Sequence, residues 1–262
     1  MGQVRSLKCT CLTLLVMQGA YLVTGASKGL GRSIAKLIAS SGHPVVALAR
    51  ESVDLGVTGA ALATLQPDSI TVSCDLGDRA DIAGATTIIK NRFSHLAGII
   101  HNAGTIHPIA NMLNVERVDW ARSIQVNLIG VQDLTNRLHS LLGGDIHTRI
   151  TTISSGAAKR SIHGWSAYCV AKAGLEMWAM CMAEEGPSEN ISAISIAPGI
   201  VDTDMQKDIR NADKISFPSL PNFIEYHENG ELTNPDDVAK ILLPFCLGNS
   251  GENGQILDIR NL

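Results

Sequence analysis

The chain has 262 residues, 45% of them hydrophobic and 18% charged, which suits one globular core and requires no second domain. Its formal net charge of −4 is spread without a basic stripe, which excludes nucleic acid as the main partner and leaves small molecules. Six cysteines (Cys9, Cys11, Cys74, Cys169, Cys181 and Cys246) have neither the paired spacing of a zinc site nor the density of a disulfide scaffold, so a reducing, cytoplasmic setting without a metal is expected.

Residues 1–19 read as a frayed extension ahead of a single domain over 20–262. Their basic start and short apolar run imitate a signal peptide, but cleavage after Ala20 would cut into the strand that begins there. The run is too short to span a membrane. The start also fits Met-Gly-x-x-x-Ser, a pattern for acylation of Gly2, with Arg5, Lys8, Cys9 and Cys11 as second membrane signals. Against membrane association through Gly2 stands the plainer reading of an extension with Met17 as a second start.

From Ala20 onward, short apolar strands alternate with longer helical segments, the sign of a parallel sheet covered on both faces. Strands are expected near 20–24, 44–49, 70–73, 96–101, 148–154, 191–197 and 255–259, and helices near 30–41, 79–93, 114–142, 166–185 and 235–247. Residues 52–67 give a weaker helical pattern, interrupted by Gly56 and Gly59. The fold class is therefore α/β, a single-domain, Rossmann-like, doubly wound parallel sheet of about seven strands with helices on both faces.

The first strand runs into Thr24-Gly25-Ala26-Ser27-Lys28-Gly29-Leu30-Gly31 and then a helix. Glycines at a strand-to-helix turn let the backbone approach a phosphate, and the helix start supplies unpaired N–H groups; the alternative is a tight turn with glycines for steric reasons. The second strand ends at Arg50, where a guanidinium suits the 2′-phosphate of NADP(H) and a carboxylate would suit NAD. Lys28 adds a second cation, while Glu51 is the counter-indication. After the third strand, Asp75, followed by Leu76, accepts from an adenine amino group or caps the next helix. Asn102, Ala103 and Gly104 end the fourth strand, leaving room for a ring system, or Asn102 ties two strands together. Asn127 interrupts an apolar helical stretch, where its amide either bends the helix and binds water or packs inside.

The fifth strand ends in Ser154-Ser155, and thirteen residues after Ser155 comes Tyr168, with Lys172 four further on. On a helix, Tyr168 and Lys172 share a face. A phenol has a reference pKa of about 10, and an adjacent ammonium favours phenolate, so the pair makes a tunable acid–base group. The plain alternative is a packed ring beside a solvated amine. The connection at about 203–234 contains Phe217, Pro218, Pro221, Phe223 and Tyr226, which suggest a cover for a hydrophobic substrate. His163 and Trp165, just before Tyr168, are candidates to line the same pocket.

Taken in order, TGASKGLG, CDL, HNAG, VNLIG, ISSGAA, YCVAK and APGIVDT resemble the short-chain dehydrogenase/reductase family over residues 20–259. Within it, GWSAY followed by APGIVDTDMQKDIR is similar to fungal benzil-reductase-like proteins and to sepiapterin reductases. The resemblance implies that Tyr168 donates a proton during carbonyl reduction, Ser155 hydrogen-bonds the carbonyl oxygen, and Lys172 holds the nicotinamide ribose and lowers the tyrosine's pKa. It implies a water-mediated relay through Asn127, and nicotinamide contacts at Pro198, Gly199, Ile200 and Thr203. Asp258 matches a terminal carboxylate that holds a basic heterocycle in sepiapterin reductases. His101 departs from the pattern, standing where many relatives carry asparagine.

The implied activity is NADPH-dependent reduction of a small-molecule ketone or diketone. Alternatives are a polyol or sugar dehydrogenase, a 3-oxoacyl reductase, or a non-catalytic NADPH-binding regulator, against which the complete Ser155, Tyr168 and Lys172 set argues. A homodimer or homotetramer is expected through the helices near 114–142 and 166–185, with Leu175, Met177, Trp178, Met180 and Met182 supplying apolar surface.

Overall fold

The computed structural model describes residues 19–262, so Gly2, Cys9, Cys11 and Met17 lie outside the described residues. Gly19, assigned to the extension on sequence, is buried against His95 and Ala97 and belongs to the packed domain. In chain order the strands are β1 Ala20–Thr24, β2 Val45–Ala49, β3 Ile70–Ser73, β4 Leu96–His101, β5 Thr148–Ile153, β6 Ile191–Ala197 and β7 Ile256–Asp258. They pair in parallel in the spatial order 3-2-1-4-5-6-7. The expected doubly wound sheet is observed.

Alternation along each strand feeds two cores. Tyr21 and Val23 of β1 face the side covered by α1 (Gly29–Ser40), α2 (Val53–Leu65) and α9 (Pro235–Cys246). Ala20 and Leu22 face the side covered by α3 (Arg79–Arg92), α5 (Gly130–Leu138) and α6 (Ser166–Glu185). Successive side chains of a strand point to opposite faces, so a run that is apolar at every position demands a cover on both. Helix α1 answers with Ile34 and Ile38, each fully buried and each contributing roughly 1.5–3 kcal/mol.

Three segments depart from expectation. Within residues 52–67 an unbroken helix, α2, runs from Val53 to Leu65, because Ser52 caps its start by accepting from Leu55 N–H at 3.2 Å and Gly59 seats against Thr71. The helix expected over 114–142 divides into α4 (Arg117–Ile124), a π-turn at Gln125–Ile129 and α5. A Cβ at Gly130 would collide with the Leu76 carbonyl, so the chain can pass the third strand's exit only with glycine there. The connection at 203–234 holds two short helices, α7 (Asp204–Arg210) and α8 (Leu220–Glu228), over a third cluster that includes Ile106, Trp165, Tyr168, Ile209 and Phe217.

Strand order reverses direction between β1 and β4, and at such a point a crevice opens beyond the carboxyl ends of the strands. The glycine loop, Asn102–Gly104, Ser155, Tyr168, Lys172 and Pro198–Thr203 all lie there.

Candidate active site

The crevice is a cleft of about 1490 Å³. That exceeds the few hundred to about 1,000 Å³ of ordinary small-molecule sites and leaves room for a dinucleotide and a substrate together. Gly25, Ser27, Lys28, Gly29, Leu30 and Gly31 border one end. Gly25 and Gly29 have φ of +66° and +54°, a region that side chains rarely adopt. A Cβ at Gly31 would collide with the Gly25 carbonyl and the Asn102 amide, and one at Gly25 would lie 2.8 Å from Ala103 Cα. This is a cradle kept clear of side chains at the start of α1, and it fits a dinucleotide's phosphates.

Arg50 is exposed at the end of β2 and borders the cleft beside Glu51. Lys28 is already matched: its ammonium pairs with Asp204 Oδ2 at 2.5 Å. Lys28 and Lys207 hold the Asp204 carboxyl down at about 2. Asp75 borders the cleft with its carboxylate accepting from Gly77 N–H at 2.8 Å and paired with Arg122; the cap of α3 is Asp78 instead. Leu76 is buried at the cleft floor. Asn102, Ala103 and Gly104 form the wall, and Asn102 also ties β1 to β4: its Nδ2 donates to the Thr24 carbonyl at 2.9 Å. Pro198, Gly199, Ile200 and Thr203 border the opposite side. The Ile200 carbonyl accepts from Thr233 N–H at 2.9 Å.

Ser155, Tyr168 and Lys172 meet where β5 ends against α6, and all three border the cleft. The Lys172 ammonium donates to the Ile153 carbonyl at 2.7 Å and lies 5.7 Å from the Tyr168 ring centroid. Burial pushes the phenol of Tyr168 up to about 12, opposed by hydrogen bonding with Ser155. This reverses the lowering expected from the lysine, because desolvation of the phenolate prevails; the ammonium, also buried, is drawn down to about 8. Desolvation disfavours both charged forms at once.

Asn127 does not border the cleft. Its Oδ1 accepts from Thr105 N–H at 2.9 Å, while its Nδ2 donates to the Thr105 carbonyl at 2.9 Å and to Ser123 Oγ at 3.2 Å. The amide fastens the chain after β4 to the π-turn. It stands behind Gly104, where an added Cβ would lie 2.9 Å from Asn127 Oδ1 and 3.7 Å from Lys172 Nζ.

On the substrate side, Trp165 borders the cleft 5.8 Å from the Tyr168 ring, and Phe223 closes on it at 5.3 Å. Phe217 does not reach the cleft: it is fully buried and stacked on the back of Trp165 at 5.0 Å. His163 is exposed at the rim. Asp258 is paired with Arg260, which holds its carboxyl below the usual range, so the carboxylate already has a cationic partner within the chain. Sequence reasoning missed Arg122, Asp204, Arg260 and Glu176. Only Glu176 left a signal, the spacing of Tyr168 and Lys172 repeated once more along α6. Among the described residues no group of three or more His, Cys, Asp or Glu could hold a metal, and no described helix is long and apolar enough to cross a membrane.

Comparison with known proteins identifies the family and the fold. The family described as short chain dehydrogenase matches residues 20–214. A benzil reductase ((S)-benzoin forming) of Bacillus subtilis (strain 168) is 36% identical over 92% of this chain and 98% of its own. The benzil reductase ((S)-benzoin forming) IRC24 of Saccharomyces cerevisiae is 31% identical over 92% and 95%. Among solved structures, the KRED1-Pglu enzyme superposes with a TM-score of 0.83 at 30% identity, covering 91% of this chain and 99% of that one.

Proposed function

The chain belongs to the short-chain dehydrogenase family of oxidoreductases, and on that premise we propose that it is an NADPH-dependent carbonyl reductase acting on a hydrophobic ketone or 1,2-diketone of the benzil type. The observation that carries this reading is a phenol, Tyr168, set beside a buried ammonium and an aromatic wall in the same cleft that the glycine loop borders. The glycine loop would hold the cofactor's phosphates, Arg50 a 2′-phosphate, and Lys172 the nicotinamide ribose. A nicotinamide bound there supplies the hydride to the carbonyl carbon.

The protein's part is to hold the carbonyl oxygen and deliver a proton to it. Ser155 and Tyr168 present two hydroxyls to that oxygen, stabilising the negative charge that develops on it. With its pKa near 12, Tyr168 stays protonated at neutral pH and serves as donor. When its proton passes to the substrate oxygen, the phenolate left behind is neutralised by the Lys172 ammonium and regains a proton from solvent. Trp165 and Phe223 give the cleft an aromatic border, which supports a hydrophobic ketone over a polyol. The apolar residues exposed on α4 and α6, Val118, Val170, Met177 and Met180, support assembly through that face; Leu175 packs inward and takes no part.

NADPH consumption with benzil tests the reading. Wild-type protein is expected to form benzoin, and Tyr168→Phe to lose at least about a hundredfold in kcat while NADPH still binds. Absence of diketone reduction, or full activity of the Tyr168→Phe variant, overturns it.

A further inference from the structure

Three consecutive residues at the end of β5 grip three successive turns of α6. Ser155 acts on Tyr168, the Ile153 carbonyl takes Lys172 at 2.7 Å, and the Ser154 hydroxyl donates to Glu176 Oε1 at 2.7 Å. Tyr168, Lys172 and Glu176 are four residues apart in turn and so share one face of the helix. The first two do the chemistry proposed above; the third has no part in it.

Glu176 is only 5% exposed. A buried carboxylate is costly and persists only when its oxygens are used, and both are. Its Oε2 pairs at 2.5 Å with Lys159, whose own side chain is 61% exposed at the rim of the cleft. The result is a buried carboxylate, paired with Lys159 on its solvent side and placed one helical turn from Lys172.

Lys172 is otherwise poor in counter-charge. On its own helix it faces the neutral Tyr168 and Glu176. From β5 it meets the Ile153 carbonyl and from the π-turn, across Gly104, the Asn127 amide, while Lys159 stands beyond the carboxylate. Burial draws the ammonium toward neutrality, and Glu176 is the charge that opposes it. We propose that Glu176 is a positioning residue for Lys172: a counter-charge fixed by Ser154 and Lys159 that keeps the ammonium protonated and seated beside Tyr168. The proposal rests on the carbonyl-reductase reading, in which that charge neutralises the phenolate.

Glu176→Gln tests it, since the amide oxygen can still accept from Ser154 while the charge is lost. Two measurements are made on each folded variant. In the pH profile of kcat/KM for benzil, the alkaline limb is expected to move down by about one pH unit or more, with Glu176→Asp lying between it and wild type. In protein labelled with 13C at lysine Cε, the Lys172 signal, assigned through Lys172→Met, is expected to titrate at lower pH in Glu176→Gln than in wild type. A destabilised variant whose limb and Lys172 titration both stay in place would make Glu176 merely structural and overturn the proposal. If wild-type protein reduces no diketone, the activity reading fails, while the Lys172 titration still decides the role of Glu176. Should Glu176→Gln not fold, Ser154→Ala takes its place: releasing one oxygen is expected to move Lys172 in the same direction, and an unmoved signal overturns the inference.

Discussion

His101 shows how one substitution inside a motif is absorbed. Its ring turns away from the cleft, meets Thr135 Oγ1 at 2.8 Å and packs edge-on to Trp178. It is 1% exposed, and burial lowers its pKa from 6.5 to about 3. Between those values the unfolded chain binds a proton that the folded chain refuses, so stability is complete above pH 6.5 and falls as pH drops toward 3. The expected loss is roughly 1 kcal/mol per pH unit, read as urea midpoints at pH 7.5 and 5, and His101→Asn should remove this component. Parallel pH slopes for the two proteins would refute it. Tyr168 teaches the complementary point. Its position and its pairing with Lys172 could be read from spacing, but the sign of its pKa shift could not, because desolvation depends on everything packed around it.

At the scale of elements, the departures from expectation share a cause. Periodicity found the helices that cover the sheet but not α7 and α8, whose apolar residues answer to a small cluster at the mouth of the cleft rather than to a long face. Phe217 is the clearest instance. Its aromatic character marked it for the substrate wall, yet its ring fills the space behind Trp165 and holds the cap in place. Phe217→Ala is therefore expected to cost about 3–5 kcal/mol of stability in chemical denaturation and to raise KM for a diketone, with NADPH affinity unchanged. A loss confined to NADPH binding would place Phe217 on the other side of the cleft. Asn127 carries the same lesson: a polar residue in an apolar helix was legible as special, but whether it faced ligand or backbone depended on where the Thr105 loop lay.

For the molecule as a whole, the cleft joins both halves of the sheet, with Arg50 just after β2 and Ser155 just after β5, so cofactor binding should stabilise the entire fold. At about a hundredfold excess over Kd, NADPH is expected to contribute about 2.7 kcal/mol, a rise in Tm of roughly 5–10 °C. Arg50→Ala should reduce the NADPH shift to the size of the NADH shift; equal shifts for both cofactors in wild-type protein would remove the preference for NADP. The sequence by itself determined the strand order's raw material, the glycine turn and the spacing that brings Ser155, Tyr168 and Lys172 to one cleft. Each of these depends on local spacing or on an apolar run that can satisfy its backbone in only one way. Only the tertiary structure decided which charges are already matched, Lys28 by Asp204, Asp75 by Arg122, Asp258 by Arg260 and Glu176 by Lys159. Apart from the short Asp258–Arg260 step, those partners lie far apart along the chain, and electrostatic pairing follows distance in space.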